Sequence, residues 1–368
     1  MQKQTLFIVS SLLVAGLMAP LPSIAQAGKS VGLSNQQTNP ALNNLLQEGR
    51  KRVNAGDITG ALVLYQQAAN LERNNPRIFS AMGYLQTLQG KFSDAATAYQ
   101  QAIALEPNNA DFYYALGYSL AKAGDNKGAA AAYRRTIDLK RNQVNAYLAL
   151  AVVLLRQEDY TGAMETCQQA IALDPKNVEA YEVMSSSFIK QGRTGQAIQT
   201  LQKAAQLAPR DTGVQLKLGT AWWKQGNKGA ALYAFKRALQ LEPRNPQIHL
   251  HIGKVLQAQN DVNGALDAYQ QALSLEPNLV DAHASIGELL LAKQDYLKAI
   301  VAYRHVITLA PQNPQAYYKL AMALKEGDRT SEAITALEKA RDLYRLQGQT
   351  EGEKKVEAAL EALKKSNG

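Results

Sequence analysis

Residues 76–109 decide the fold, and they read PRIFSAMGYLQTLQGKFSDAATAYQQAIALEPNN. Apolar residues recur three and four positions apart in each half, which predicts two short helices that each bury one stripe. Gly90 lies at the break between the halves, and Pro107 ends the second helix because its ring nitrogen carries no N–H. A hairpin of this size cannot bury both stripes by itself, so the stretch predicts copies of itself alongside.

The chain contains those copies at a constant period, equal to the length of this stretch, from position 42 to position 347 without insertion or deletion. The middle of the second helix is alanine in every copy: Ala61, Ala95, Ala129, Ala163, Ala197, Ala231, Ala265, Ala299 and Ala333. One position of the first helix is always small: Gly49, Gly83, Gly117, Ala151, Ser185, Gly219, Gly253, Gly287 and Ala321. We attribute the small residues to two helix backbones that cross closely, where a larger side chain would push them apart.

This register resembles the tetratricopeptide repeat family, over nearly the whole chain that follows the N-terminal segment. The resemblance implies an all-α fold, a right-handed superhelix (α-solenoid) of nine helix-turn-helix repeats. First helices would line a concave groove and second helices would lie outside. Residues 348–368 predict a C-terminal capping helix and tail, because Val356, Ala359, Leu360 and Leu363 form one apolar stripe among Lys and Glu. A partner-binding helix is the alternative for this segment.

Residues 1–27 have the layout of a secretory signal peptide. A basic start at Lys3 precedes an apolar core, and Ala25 and Ala27 form a small-x-small cleavage site. Residues 28–41 are polar and without periodicity, which predicts a flexible linker. We therefore expect export, to the periplasm or, in a cyanobacterium, the thylakoid lumen, with no stable membrane span after cleavage. An uncleaved membrane anchor is the alternative.

Composition indicates a binding protein rather than an enzyme. The chain has 368 residues, a net charge of +9 that is spread along its length, and a single cysteine, Cys167, which excludes an internal disulfide. No nucleophile elbow, zinc-protease motif, phosphate-binding loop or dinucleotide fingerprint occurs in it. We expect neither catalysis nor nucleic-acid binding.

The family resemblance also implies which side chains would contact a ligand, since five positions of each first helix line the groove. The apolar and aromatic residues at these positions are Tyr84, Tyr114, Tyr118, Leu148, Val152, Leu155, Ile189, Leu216, Trp223 and Leu250. Exposed apolar surface of this kind predicts a binding site for a protein or peptide. The alternative is that neighbouring first helices bury much of this strip.

A basic series follows the same period at the ends of first helices: Lys122, Arg156, Lys190 and Lys224. Such a series could bind carboxylates of a peptide by charge-assisted hydrogen bonds. A cation at a helix C-terminus also interacts favourably with the helix dipole, so a purely structural role is the alternative.

Acidic residues and histidine gather elsewhere and suggest a site for a hard divalent ion such as manganese. The candidate ligands are Glu179, Glu182, His251, Asp281 and Glu288. No spacing among them is diagnostic. His249 and His283 occupy a position that usually holds a packing aromatic, which favours a structural role for them.

These observations predict an exported, non-catalytic scaffold or assembly factor that holds a peptide or protein, with no resident cofactor. Nine repeats behind a secretory leader are similar to a cyanobacterial factor for photosystem II assembly, which would imply a membrane-protein client and a link to manganese. The alternatives are an adaptor of envelope machinery, such as pilus or outer-membrane assembly, and a manganese carrier.

Overall fold

The computed structural model describes residues 39–366, where the chain forms nineteen α-helices. The predicted signal peptide and most of the predicted linker lie outside the described residues. The first helix begins at Pro40, so the first repeat starts slightly before its predicted boundary. The all-α prediction is confirmed for the described part of the chain.

The helices fall into two compact units, of which unit 1 ends at Leu207. Its ten helices form five antiparallel pairs. They are α1 Pro40–Asn54, α2 Ile58–Leu71, α3 Pro76–Leu88, α4 Phe92–Leu105, α5 Ala110–Ala123, α6 Asn126–Leu139, α7 Val144–Arg156, α8 Tyr160–Leu173, α9 Val178–Lys190 and α10 Thr194–Leu207.

Unit 2 begins at Ala208 and contains four further pairs and a final single helix. Its helices are α11 Thr212–Gln225, α12 Lys228–Leu241, α13 Pro246–Ala258, α14 Val262–Leu275, α15 Val280–Ala292, α16 Tyr296–Leu309, α17 Pro314–Glu326, α18 Thr330–Leu346 and α19 Thr350–Ser366. Helix α19 packs Val356, Leu360 and Leu363 into the core of the last repeat and so covers its apolar side.

Local sequence explains where the second helices begin. Asp125 precedes α6, and its carboxylate accepts a hydrogen bond from the backbone N–H of Gly128 at 2.9 Å. This N-cap satisfies one of the amides that the first turn of a helix leaves without a partner. Asp57, Asp159 and Asp261 cap α2, α8 and α14 in the same way.

The turn between the two helices of a repeat requires a left-handed backbone in every copy. Gly90 has a φ of 74°, and glycine adopts this conformation without a steric cost. In four repeats other residues hold it: Glu158 at 63°, Asn260 at 64°, Gln294 at 62° and Asp328 at 58°. Glycine at this position is therefore favourable but not required, since the surrounding helices fix the turn.

First helices of successive repeats also contact each other inside a unit. In unit 1 α3 contacts α5, α5 contacts α7, and α7 contacts α9; in unit 2 α13 contacts α15. Among residues 39–366, no two second helices of successive repeats have a contact as extensive as these. In unit 1 the helices α3, α5, α7 and α9 therefore form one continuous surface, and most of the predicted groove residues lie on it.

Candidate binding face on the first helices

In unit 1 we define the unit 1 face as the accessible surface of α3, α5, α7 and α9. Three side chains that the sequence predicted to face solvent are instead buried there: Tyr114 (6% exposed), Leu148 (4%) and Val152 (8%). Leu148 packs with Ala170 and Ala180 of the following helices, and Val152 packs with Cys167 and Val183. The prediction of exposure was wrong for Leu148 and Val152 because the following helices cover them.

Tyr114 packs inward against the second helix of its own repeat. Its ring lies 5.6 Å from the ring of Tyr133, in a tilted arrangement. Burial raises the pKa of Tyr114 to about 12, and the nearby charge of Glu179 adds to the increase. The phenol therefore stays neutral at physiological pH and acts as a packing residue, so its predicted exposure was also wrong.

Four of the predicted side chains keep part of their surface accessible: Tyr84, Tyr118, Leu155 and Ile189. The ring of Tyr118 also contacts Phe92, edge to face, with 6.5 Å between centroids. Phe92 begins α4 and was not among the predicted site residues, because the sequence placed it only in the turn. It holds the Tyr118 ring against the start of the second helix.

Charged side chains lie at both ends of these first helices. Lys122, Arg156 and Lys190 are exposed in the last turns of α5, α7 and α9. At the opposite ends, Asp111 is in the first turn of α5 and Glu179 in the first turn of α9. The unit 1 face thus has a basic end, where Leu155 and Ile189 directly precede Arg156 and Lys190, and an acidic end on α5 and α9.

In unit 2 the predicted residues divide in the same way. Leu250 is only 1% exposed and packs with Tyr269 and Ala282, so its predicted exposure was wrong. Leu216 is half-buried, whereas Trp223 is 36% exposed and Lys224 is exposed at the end of α11.

The candidate metal ligands of unit 2 are engaged in ion pairs between repeats. Asp281 accepts from Lys254 Nζ at 3.2 Å, and Glu288 lies 3.1 Å from Lys319 Nζ. Within residues 39–366 no cluster of three or more His, Cys, Asp or Glu side chains has the geometry to hold a metal ion. The sequence missed these pairs because each joins residues of two different repeats.

His251 is a half-buried packing residue. Its ring stacks on Phe235, with 4.9 Å between centroids and 8° between planes. Burial and, to a smaller extent, the charge of Lys254 lower the pKa of His251 to about 4, against an opposing effect of Asp281. The imidazole is therefore neutral at neutral pH.

His249 and His283 have the structural role that the sequence favoured. His283 Nε2 lies 2.9 Å from the carbonyl oxygen of Pro277, and His249 Nε2 lies 3.1 Å from that of Pro243. Tyr147 and Tyr181 use their hydroxyls at the same repeat position, each to a carbonyl in the loop before its helix. The ring at this position ties that loop to the first helix.

Two further observations concern the chemistry of the described chain. Cys167 is fully buried, and burial raises the pKa of its thiol to about 12, so little thiolate is present. Between residues 39 and 366, no helix combines the length and the apolar character needed to cross a membrane.

Comparison with protein families identifies the repeats. One tetratricopeptide repeat profile, described as TPR repeat, matches residues 85–124, 224–260 and 254–294. A second, described as tetratricopeptide repeat, matches residues 120–186, 154–212 and 290–347. Together they match more than half of the chain, which belongs to the tetratricopeptide repeat family. Proteins of this family bind peptide or protein partners, and the fold is typically that of a non-catalytic scaffold. None of the curated proteins compared with the chain matches it.

Solved structures agree on the fold. A tetratricopeptide repeat protein from Parabacteroides merdae is 16% identical, with a TM-score of 0.53, and the match covers 69% of this chain and 100% of that one. The C-terminal part of a repeat protein from Cytophaga hutchinsonii is 19% identical, with a TM-score of 0.55, covering 65% and 98%. Yeast Tom70 is 15% identical, with a TM-score of 0.48, covering 89% and 96%. At these identities the likeness to the first two concerns the fold alone.

Proposed function

We propose that this protein is a non-catalytic scaffold that binds a segment of a partner protein on the unit 1 face. The observation that carries the proposal is the row of accessible apolar side chains on adjoining first helices: Tyr84, Tyr118, Leu155 and Ile189. Neighbouring helices bury Leu148 and Val152, so these four remain as contact residues. Partly buried aromatic and aliphatic anchors of this kind account for most of the affinity in protein interfaces.

The rigid packing beneath the row supports a binding role. The ring of Tyr118 contacts Phe92, and Tyr114, one turn earlier in α5, packs against Tyr133. An anchor that is already held in place loses little side-chain entropy when a ligand binds, which favours affinity. The exposed Lys122, Arg156 and Lys190 would then set the orientation of a charged ligand.

The proposal is tested by selecting peptides from a random displayed library on the full mature chain. We expect enriched peptides whose affinity falls at least about tenfold, or ~1.4 kcal/mol, on Tyr118→Ala or Leu155→Ala. Tyr233→Ala is the matched control, because Tyr233 is 69% exposed on the second helix α12. Peptides that bind the Tyr118→Ala and Leu155→Ala variants as tightly as the parent would overturn the proposal, provided that circular dichroism shows both variants folded.

Export is part of the proposal and rests on the sequence of residues 1–27. N-terminal sequencing of the protein from an expressing cell tests it, and a mature start near Gly28 is expected. A photosystem II client in the thylakoid lumen and an adaptor role in envelope machinery are narrower forms of the proposal. Capture of partners with the parent and the Tyr118→Ala variant distinguishes them through the identity of the protein that is lost.

A further inference from the structure

Charge is separated along three adjoining first helices of unit 1. In α5 and α9 every carboxylate lies in the first half of its helix, at Asp111, Glu179 and Glu182, and α7 has no carboxylate. Every cation lies in the last turn, at Lys122, Arg156 and Lys190. From Asp111 to Lys122 the helix rises by about 16 Å, at roughly 1.5 Å per residue. We call these two borders the acidic edge and the basic edge.

Each of these three helices has one of the half-buried anchors near the basic edge: Tyr118 lies one turn before Lys122, and Leu155 and Ile189 directly precede Arg156 and Lys190. Tyr118 is on α5, Leu155 on α7 and Ile189 on α9, and all three are half-buried. The three helices contact each other in sequence. Packed helices have axes about 8–10 Å apart, so the three anchors repeat at about that interval across the face.

This interval matches a helical ligand better than an extended one. Residues seven apart in an α-helix lie on the same side and about 10.5 Å apart. Side chains on one side of a strand are about 6.6 Å or about 13 Å apart, because alternate residues point to opposite faces. A helix with its side chains is also about 10–12 Å wide, which fits between edges about 16 Å apart.

We propose that the ligand segment of the unit 1 face is an amphipathic helix with one acidic flank and one basic flank. This inference rests on the proposed function and specifies its ligand. The helix lies across α5, α7 and α9, with apolar residues at intervals of seven against Tyr118, Leu155 and Ile189. Its acidic flank faces the basic edge and its basic flank faces the acidic edge, so charge fixes the direction in which the helix lies.

The test uses the full protein chain and synthetic peptides, each three heptads long, with apolar residues at heptad positions. One peptide carries Glu on one flank and Lys on the other, a second Glu on both flanks, and a third Lys on both. A fourth has the split charges and two central prolines, which prevent a continuous helix. Fluorescence anisotropy at two salt concentrations measures affinity. We expect the split-charge helix to bind about tenfold more tightly than the other three.

Reversal of the basic edge provides the second arm. The variant Lys122→Glu/Arg156→Glu/Lys190→Glu should lose affinity for the split-charge helix and gain about tenfold for the peptide with Lys on both flanks. The control Lys127→Glu/Arg134→Glu/Lys203→Glu changes net charge equally at exposed positions of the second helices α6 and α10. It should leave the order of affinities unchanged.

Three outcomes would overturn the proposal. Equal binding of the proline peptide would show that helicity is not recognised. Unaltered ligand preference in the reversed variant would show that Lys122, Arg156 and Lys190 only stabilise the C-termini of their helices. In that case the variant loses thermal stability while its ligand preference stays the same. If library peptides bind through Tyr118 and Leu155 but no synthetic helix does, the helical ligand is wrong and the proposed function stands.

Discussion

Gly83 lies directly beneath the ring of Tyr99, so closely that a Cβ atom on it would be 2.9 Å from Cε2 of that ring. The same contact recurs between the first and second helices of other repeats, as in Gly253 beneath Tyr269. The small residue of the first helix therefore makes room for an aromatic ring. The sequence-based explanation, a close crossing of two backbones, did not include this ring, which is the nearest neighbour of the glycine.

The first prediction follows from this contact. Gly83→Ala should lower the free energy of unfolding by about 1–3 kcal/mol, because the added methyl group overpacks against the Tyr99 ring. Urea denaturation measures the change. In the Tyr99→Leu background, Gly83→Ala should lower the free energy of unfolding by less, because the Leu side chain does not fill the space that the Tyr99 ring occupies. Equal cost of Gly83→Ala in both backgrounds would contradict the explanation.

The sequence shows the same compensation between the small residue and the facing residue, although the pairing can be recognised only once the contact is known. Six repeats have glycine at the small position, and all six have an aromatic residue at the facing one. The other three repeats have Ala or Ser in place of glycine and no aromatic residue at the facing position: Ala151 faces Cys167, Ser185 faces Leu201 and Ala321 faces Leu337. The repeat spacing predicts the fold, but the pairing became apparent only when the structure showed which positions touch.

Burial on the first-helix surface was harder to predict for a physical reason. Tyr118 and Val152 occupy the same repeat position, yet Tyr118 is half accessible and Val152 is 8% exposed. The exposure of a side chain there depends on the residues of the next repeat, such as Val183 against Val152. The repeat pattern assigns each position separately and so does not show which residues of two repeats contact each other. It therefore predicted the face but not which of its residues are accessible.

The second prediction concerns the tyrosine hydroxyls of unit 2. Tyr269 donates a hydrogen bond to Oε1 of Gln257 at 2.6 Å, whereas the equivalent Tyr303 hydroxyl is buried without a partner in the described chain. Leu291 of its own repeat stands where Gln257 stands in the other. A buried polar group without a partner costs about 1–3 kcal/mol. Tyr303→Phe should therefore preserve or raise the free energy of unfolding.

The matched control is Tyr269→Phe, which removes a hydrogen bond and should lower the free energy of unfolding by about 1 kcal/mol. Leu291→Gln offers the Tyr303 hydroxyl an acceptor and should make Tyr303→Phe unfavourable in that background. Denaturant melts of the parent, the three single variants and the double variant measure these differences. A loss from Tyr303→Phe as large as that from Tyr269→Phe would contradict the assignment.

The third prediction concerns the thiol of Cys167. Burial raises its pKa to about 12, so at pH 8 only about one thiol in ten thousand is ionised. Because the thiolate is the reactive form, a maleimide or aromatic disulfide reagent should modify the folded protein at least about a thousandfold more slowly than the unfolded one. The chain has no other cysteine, so the signal belongs to this residue. Rapid modification of the folded protein would show that the site opens.

The fourth prediction is a loss of stability in mild acid caused by His251. Its pKa is about 4 in the folded protein against an ordinary value of 6.5, so the unfolded chain takes up a proton before the folded one does. The contribution is complete above pH 6.5 and is lost as the pH falls from about 6.5 to 4, by about 3 kcal/mol in total. Of the charged groups that face the ring, Lys254 disfavours its protonation and Asp281 favours it.

His251→Phe removes the titrating group and keeps a ring to stack on Phe235, so its stability should change less between pH 7 and pH 5 than that of the parent. His305→Phe is the control, because His305 is exposed on α16 and stacks on His283. Guanidinium denaturation at both pH values measures the effect. An equal loss of stability in the parent and in His251→Phe would mean that groups other than the His251 imidazole cause the acid sensitivity.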